Sequence, residues 1–161
     1  MTGIRLAADS GRAEANAATL IAIADALDTG TAIPESERLA RRFFLVFARG
    51  ELAKLKELLH PEVEMVLKTP PPGEVLHGRD QVEAFVESEL DRGFNEAHAD
   101  VFRPLDEERI VVEGRVRSMD DQRVLRDDPM VWALEFRDGL LRRSLPAQTV
   151  LEAEGLLATS K

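Results

Sequence analysis

The first half of the chain has hydrophobic residues at every third or fourth position, the spacing that places them on one face of a helix. Asp80 and Glu83 form an acidic capping box, which predicts that one of these helices begins at Asp80. Between the helices, residues 62–68 have the alternation and composition of a strand. The predicted helices cover residues 12–28, 37–49, 52–59 and 80–92.

In the second half of the chain the hydrophobic period changes to two, which is typical of half-buried strands. Asp138-Gly139 between two apolar stretches predicts a tight hairpin. Residues 119–128 are polar and predict a connection, and residues 148–157 return to the spacing of a short helix. The predicted strands cover residues 95–103, 108–118, 129–137 and 140–147.

Helices followed by an antiparallel meander predict an α+β fold with the helices on one face of the sheet. We expect an extra N-terminal helix and linker in residues 1–34, the main domain in residues 35–157 and a tail in residues 158–161. Helices that close a curved sheet leave a conical pocket, where small ligands commonly bind. The expected architecture is a conical α+β barrel, with a curved antiparallel sheet wrapped by N-terminal helices.

Composition excludes several kinds of chemistry. The 161 residues include no cysteine, which excludes disulfides and cysteine-ligated metals, and no tyrosine, which excludes a phenol as proton donor. The formal net charge of −9 opposes binding to phosphate backbones, so we expect no nucleic acid partner. No secretory signal is recognisable, and no apolar stretch approaches the roughly 20 residues that span a bilayer. We therefore expect a cytoplasmic protein with no membrane partner.

Three short motifs occur in a familiar order along these predicted elements. They are His77-Gly78-Arg79-Asp80, Phe136-Arg137-Asp138-Gly139 and Ala153-Glu154-Gly155-Leu156. With the elements around them, they resemble the SnoaL-like branch of the nuclear-transport-factor-2-like superfamily over about residues 35–157. That superfamily includes ketosteroid isomerases, limonene epoxide hydrolases, polyketide cyclases and non-catalytic binding domains, so the resemblance implies the fold and leaves the function open.

The enzymes of this superfamily place acids at positions where this chain has other residues. A ketosteroid isomerase has an aspartate base on the first strand and a tyrosine in its oxyanion hole; here that strand has Glu64, and tyrosine is missing. For the limonene epoxide hydrolases, the resemblance places their arginine at Arg115. The positions of their two aspartates then fall on Arg117 and near Pro146. Direct transfer of either chemistry is unsupported.

His77 and Arg115 are the candidate catalytic residues. The resemblance puts His77 at the edge of the pocket, and histidine is the side chain best suited to proton transfer near neutral pH. Arg115 would then stabilise a developing oxyanion. The alternative for His77 is a hydrogen-bonded loop histidine. Neither His60 nor His98 has ligands at metal spacing, so we expect no metal site and no cofactor.

The resemblance also implies a ligand-binding surface inside the barrel. If the resemblance sets the strand phase, Arg115 and Arg117 point inward. The sequence also allows the reverse phase, which leaves them in water, the commoner position for arginines. Inward arginines would favour a ligand with a carboxylate or phosphate group. The candidate ligand-binding residues are Met65, Leu67, Arg117, Met130, Trp132, Leu134, Arg142 and Ser144.

Three functions remain as hypotheses. The leading one is a small-molecule-binding protein whose ligand is apolar or anionic. The second is an isomerase, cyclase or hydrolase that uses His77 as acid or base with Arg115. The third is a homodimeric assembly module in which sheet faces pair; a homodimer is the expected oligomeric state under the first hypothesis as well.

Overall fold

The structure is a computed structural model that describes residues 33–67, 74–91 and 95–159. The predicted helix over residues 12–28 lies outside the described residues. The helices are α1 (Glu35–Ala48), α2 (Leu52–Glu57), α3 (Gly78–Asp91) and α4 (Val150–Ala158). The strands are β1 (Leu59–Val66), β2 (Val75–His77), β3 (Asn95–Pro104), β4 (Arg109–Met119), β5 (Leu125–Arg137) and β6 (Leu140–Ala147).

The six strands form one curved sheet in the order β2-β1-β6-β5-β4-β3. The predicted α+β fold, with helices preceding a strand meander, is confirmed. The sheet is not antiparallel throughout, because β1 and β6, the second pair from the β2 edge, are parallel. This pairing brings the first strand of the chain beside the last one, and it places α1, α2 and α3 together on one face.

We call the face of the sheet that carries Val112, Trp132 and Leu134 the interior face. All three side chains are buried, and they pack with apolar residues of α1, α2 and α3. The ring of Phe44 on α1 meets the indole of Trp132 edge to face, with 4.9 Å between the ring centroids. This contact fixes α1 across the centre of the sheet.

The opposite, exterior face is covered in part by α4. Ala153 and Leu157 of this helix pack on Val111, Ala133 and other apolar residues of β4, β5 and β6. Thr149 caps the helix, because its side chain accepts a hydrogen bond from the backbone N–H of Glu152. The middle of the sheet is therefore buried on both faces.

The turn between β3 and β4 holds the beginning of α1. The carboxylate of Glu107 accepts a hydrogen bond of 2.7 Å from the backbone N–H of Glu35, and the buried hydroxyl of Ser36 donates to the carbonyl of Asp106. Burial raises the pKa of Asp106. Hydrogen bonds from the Arg109 side chain and from backbone N–H groups outweigh that effect and hold the pKa below its usual range.

Several boundaries differ from the prediction; the strand predicted over residues 62–68, for example, is β1 and begins at Leu59, inside the helix predicted over residues 52–59. The helix predicted to begin at Asp80 begins two residues earlier, at Gly78, whose φ of 84° is a left-handed conformation that favours glycine. Asp80 is thereby inside the first turn, and its carboxylate lies 3.0 Å from Nζ of Lys56 on α2. The end of the polar connection also proves to be strand, since β5 begins at Leu125.

Candidate functional site

The interior face of β5 carries a row of large apolar side chains. Met130, Trp132 and Leu134 alternate along the strand, and Trp132 lies directly opposite Val112 on β4. Trp132 is 9% exposed and Leu134 is fully buried, whereas Met130 is partly exposed. The strand phase expected from the resemblance is therefore the observed one for this strand. The role of these residues in binding a ligand stays a prediction.

Met65 and Ser144 lie beside this row. In the parallel pair of β1 and β6 they are register partners, and Ser144 is also opposite Leu134. Ser144 is 6% exposed and is a polar group within an otherwise apolar part of the interior face. Leu67 follows β1 directly and is buried. The structure therefore brings four of the predicted ligand-binding residues to one region of the sheet: Met65, Leu67, Leu134 and Ser144.

The interior face changes from filled to open along its strands. At one end Ile110, Leu134 and Leu141 are fully buried against the helices. At the other end, apolar side chains pack against the core but remain partly exposed, and the β3 positions there are small. The residues of this open end are Ala97, Ala99, Val116 and Met130, which the register of β3, β4 and β5 brings together.

Arg115 and Arg117 do not point into the interior. On β4 they alternate with Gly114 and Val116, so they share the exterior face with Val111. The Arg115 guanidinium lies 3.5 Å from the Asp127 carboxylate and 3.9 Å from that of Asp100. Arg117 lies within 3.9 Å of Asp127 and of Glu96. The prediction of an arginine-lined interior is wrong for these two residues, because these acids neutralise them on the other face.

Arg142 is held by the backbone of a neighbouring strand. It lies at a register irregularity of β6, between Leu141 and Arg143. Its Nη1 donates a hydrogen bond of 2.6 Å to the carbonyl of Glu62 on β1. The observed role is to tie β6 to β1, and binding of an anion by Arg142 stays a prediction.

His77 also lies on the exterior face. On the edge strand β2 it pairs with Glu64, whereas the next residue toward the chain start, Leu76, packs on the interior side. The His77 side chain is 65% exposed, and its Nδ1 is 3.9 Å from Oε1 of Glu64. Four inter-strand steps separate β2 from β4, or about 19 Å at the usual strand spacing. The structure therefore does not bring together His77 and Arg115, the catalytic pair predicted from the sequence.

Basic and acidic side chains alternate across the exterior face. The register joins His77 to Glu64, Glu64 to Arg143, Arg143 to Glu135, and Glu135 to Arg109. We call these five residues the charge ladder. Glu135 is 7% exposed, and Arg109 reaches further to donate a hydrogen bond to the Leu157 carbonyl at the end of α4. The ladder cannot be recognised in the sequence, because the ladder exists only through the register of five strands.

Two negative findings apply to the described part of the chain. Among residues 33–67, 74–91 and 95–159, no group of three or more histidine or acidic side chains is arranged to hold a metal ion. No helix in those residues is long and apolar enough to cross a membrane. The homodimer stays a prediction; on the exterior face of each chain, α4 already covers part of the surface through which such a pair would form.

Comparison with known proteins supports the fold. The family model of the SnoaL-like domain matches residues 40–144, which confirms the resemblance drawn from the motifs. No curated protein matches the sequence significantly.

Solved structures share the architecture at low sequence identity. A Mycobacterium tuberculosis protein in complex with estradiol-17β-hemisuccinate has a TM-score of 0.64 at 13% identity, over 73% of this chain and 96% of that chain. An NTF2-like protein from Burkholderia pseudomallei has a TM-score of 0.62 at 21% identity, over 79% and 100%. A Xanthomonas campestris protein assigned as a polyketide cyclase has a TM-score of 0.60 at 20% identity, over 73% and 93%. Identities this low show the fold alone.

Proposed function

Because the chain belongs to the SnoaL-like family, we propose that it binds an apolar small molecule on the interior face of its sheet. The ligand occupies the open end of that face, against Met130 and Trp132. The Mycobacterium tuberculosis protein of the same fold was solved with estradiol-17β-hemisuccinate, which supports a polycyclic body as the class to test.

The observation that carries this proposal is the change in packing along the interior face. Met130 of β5 and Val116 of β4 keep part of their apolar surface exposed. Beside them on β3, the interior-facing residues Ala97 and Ala99 are small and also partly exposed. Covering exposed apolar surface with an apolar ligand lowers the free energy of the complex. This end of the face therefore favours such a ligand.

Binding is proposed in place of acid–base catalysis because the predicted catalytic side chains lie on the exterior face. A general acid or base must come within hydrogen-bond distance of the reacting group, directly or through one water. On β3, β4 and β5 the interior-facing positions include no histidine and one acid, Asp128, at the outer end. An apolar ligand is likewise favoured over an anionic one, because Arg115 and Arg117 have their acids on the other face.

Replacing Ala97 with leucine should block binding, because the larger side chain fills the open end. The probe is 1-pyrenemethanol, an uncharged polycycle that accepts the fluorescence energy of tryptophan. Trp132 is the single tryptophan of the chain, so its quenching reports binding of the probe, and the variants locate the site. We expect saturable quenching in the natural protein and an affinity at least about tenfold weaker in Ala97→Leu, equivalent to about 1.4 kcal/mol.

His98→Leu is the matched control, since it adds the same side chain to the next residue of β3 on the exterior face. It should bind the probe within about twofold of the natural protein, because a twofold change is only about 0.4 kcal/mol. Equal weakening by both variants, or unchanged binding by Ala97→Leu, would contradict the proposal.

A further inference from the structure

Asp128 is a carboxylate in line with the apolar row of the proposed site. It lies on β5 directly opposite Val116, whose side chain packs on the interior cluster. Two residues further along the strand is Met130, and two beyond that is Trp132. On the interior-facing positions of β3, β4 and β5, Asp128 is the one acidic side chain, and it is exposed.

The neighbouring charges are already engaged elsewhere. Arg126, the next interior-facing residue outward, has its Nε 3.5 Å from Oδ2 of Asp120. Arg115 and Arg117 bind Asp127 on the exterior face. Within the described residues, the Asp128 side chain makes no hydrogen bond or ion pair. It therefore retains its full capacity to accept hydrogen bonds.

We propose that Asp128 gives the site a preference for ligands whose outer end donates a hydrogen bond, a hydroxyl group or a protonated amine, and a bias against carboxylates and phosphates. This inference rests on the proposed function. Four residues of strand separate Asp128 from Trp132, or about 13 Å. A ligand with two to four fused rings and one terminal donor spans that distance, with its rings on Trp132 and Met130 and its donor at Asp128.

The direction of the preference follows from the chemistry of the carboxylate. An ionised carboxylate only accepts hydrogen bonds, and the bonds that it accepts from a cation are stronger than neutral ones. A ligand carboxylate brought to the same place would meet a like charge with no cation between them. Inward-facing Arg115 and Arg117 would have favoured an anionic ligand; their position on the exterior face removes that basis.

Three probes that share one apolar body test the inference: 1-pyrenemethylamine, 1-pyrenemethanol and 1-pyrenecarboxylic acid. Dissociation constants are measured at pH 7 by quenching of Trp132 fluorescence. We expect the amine to bind at least about tenfold more tightly than the acid, with the alcohol between them. Asp128→Asn should reduce the ratio of amine to acid affinity to within about threefold, because the amide is uncharged.

Asp127→Asn is the matched control, because it removes the same charge from the adjacent residue on the exterior face. It should leave the ratio within about twofold of the natural protein, since a charge on the far face is screened by solvent. If Asp128→Asn leaves the ratio unchanged, or Asp127→Asn lowers it equally, the inference is overturned while the proposed function stands. If none of the three probes binds the natural protein, the proposed function is overturned, and the inference with it.

Discussion

Replacing Gly114 with alanine is expected to lower the free energy of unfolding by about 3 kcal/mol. A Cβ atom at this position would lie 1.8 Å from the backbone carbonyl oxygen of His98. The close approach arises at a bulge of β3, where the pairing moves from Ala99 to Val101 and leaves Asp100 as the extra residue. Because the clash is with backbone, the two strands must separate to relieve it. Urea unfolding measures the loss.

Gly155→Ala is the matched control, since it makes the same substitution in α4 at a position where nothing lies within 4 Å of the added Cβ. There the change should stabilise the protein by about 0.5–1 kcal/mol, because alanine favours the helix. Gly114→Ala should also weaken probe binding, as Ala97 and Ala99 move with β3. A Gly114→Ala protein as stable as the natural one would contradict the observed bulge.

Replacing Glu135 with glutamine is expected to cost about 2–3 kcal/mol of unfolding free energy. The substitution keeps the size of the side chain but removes the negative charge between Arg143 and Arg109 in the charge ladder. Because Glu135 is only 7% exposed, its two register partners would then flank a neutral group that lies largely out of water. The hydrogen bond to Asp106 and the charge of Asp106 raise the pKa of Arg109 most, and the charge of Glu135 raises it further. Urea unfolding at pH 7 measures the cost.

Glu113→Gln provides the comparison for this second result. It removes a carboxylate from the same face, but from an exposed pair in which Oε2 lies 2.6 Å from Nε of Arg103. Exposed pairs contribute little, so this variant should lose less than about 1 kcal/mol. Equal losses in the two variants would mean that the charge ladder adds no stability beyond that of ordinary surface pairs.

The order of elements could be predicted because each helix and each long strand carries its own hydrophobic period. The sequence could not predict which residues of β4 face the interior of the fold. Ile110, Val111 and Val112 are all buried, since α1 lies over one face of the strand and α4 over the other. Alternation returns only in the outer half, where Arg115 and Arg117 face away from Val116, and it does not by itself say which face is inside.

The position of His77 was missed for a related reason. β2 has three residues and lies at the edge of the sheet, so it has too few positions to show a period. Its register with β1 decides the outcome: Leu76 takes the interior position and His77 the exterior one beside Glu64. The place of Asp128 on a strand is not predicted either, because the polar residues 119–128 predict a connection, whereas β5 begins at Leu125.

The central claim, that a ligand binds on the interior face of the sheet, is tested most directly by NMR of methionine methyl groups. The protein has four methionines. Met130 lies at the open end of the interior face, whereas Met119 is 44% exposed at the far end of β4 on the other face. When 1-pyrenemethanol is titrated in, the signal of Met130 should shift to saturation, and that of Met119 should stay in place. A shift of Met119 without one of Met130 would contradict the account.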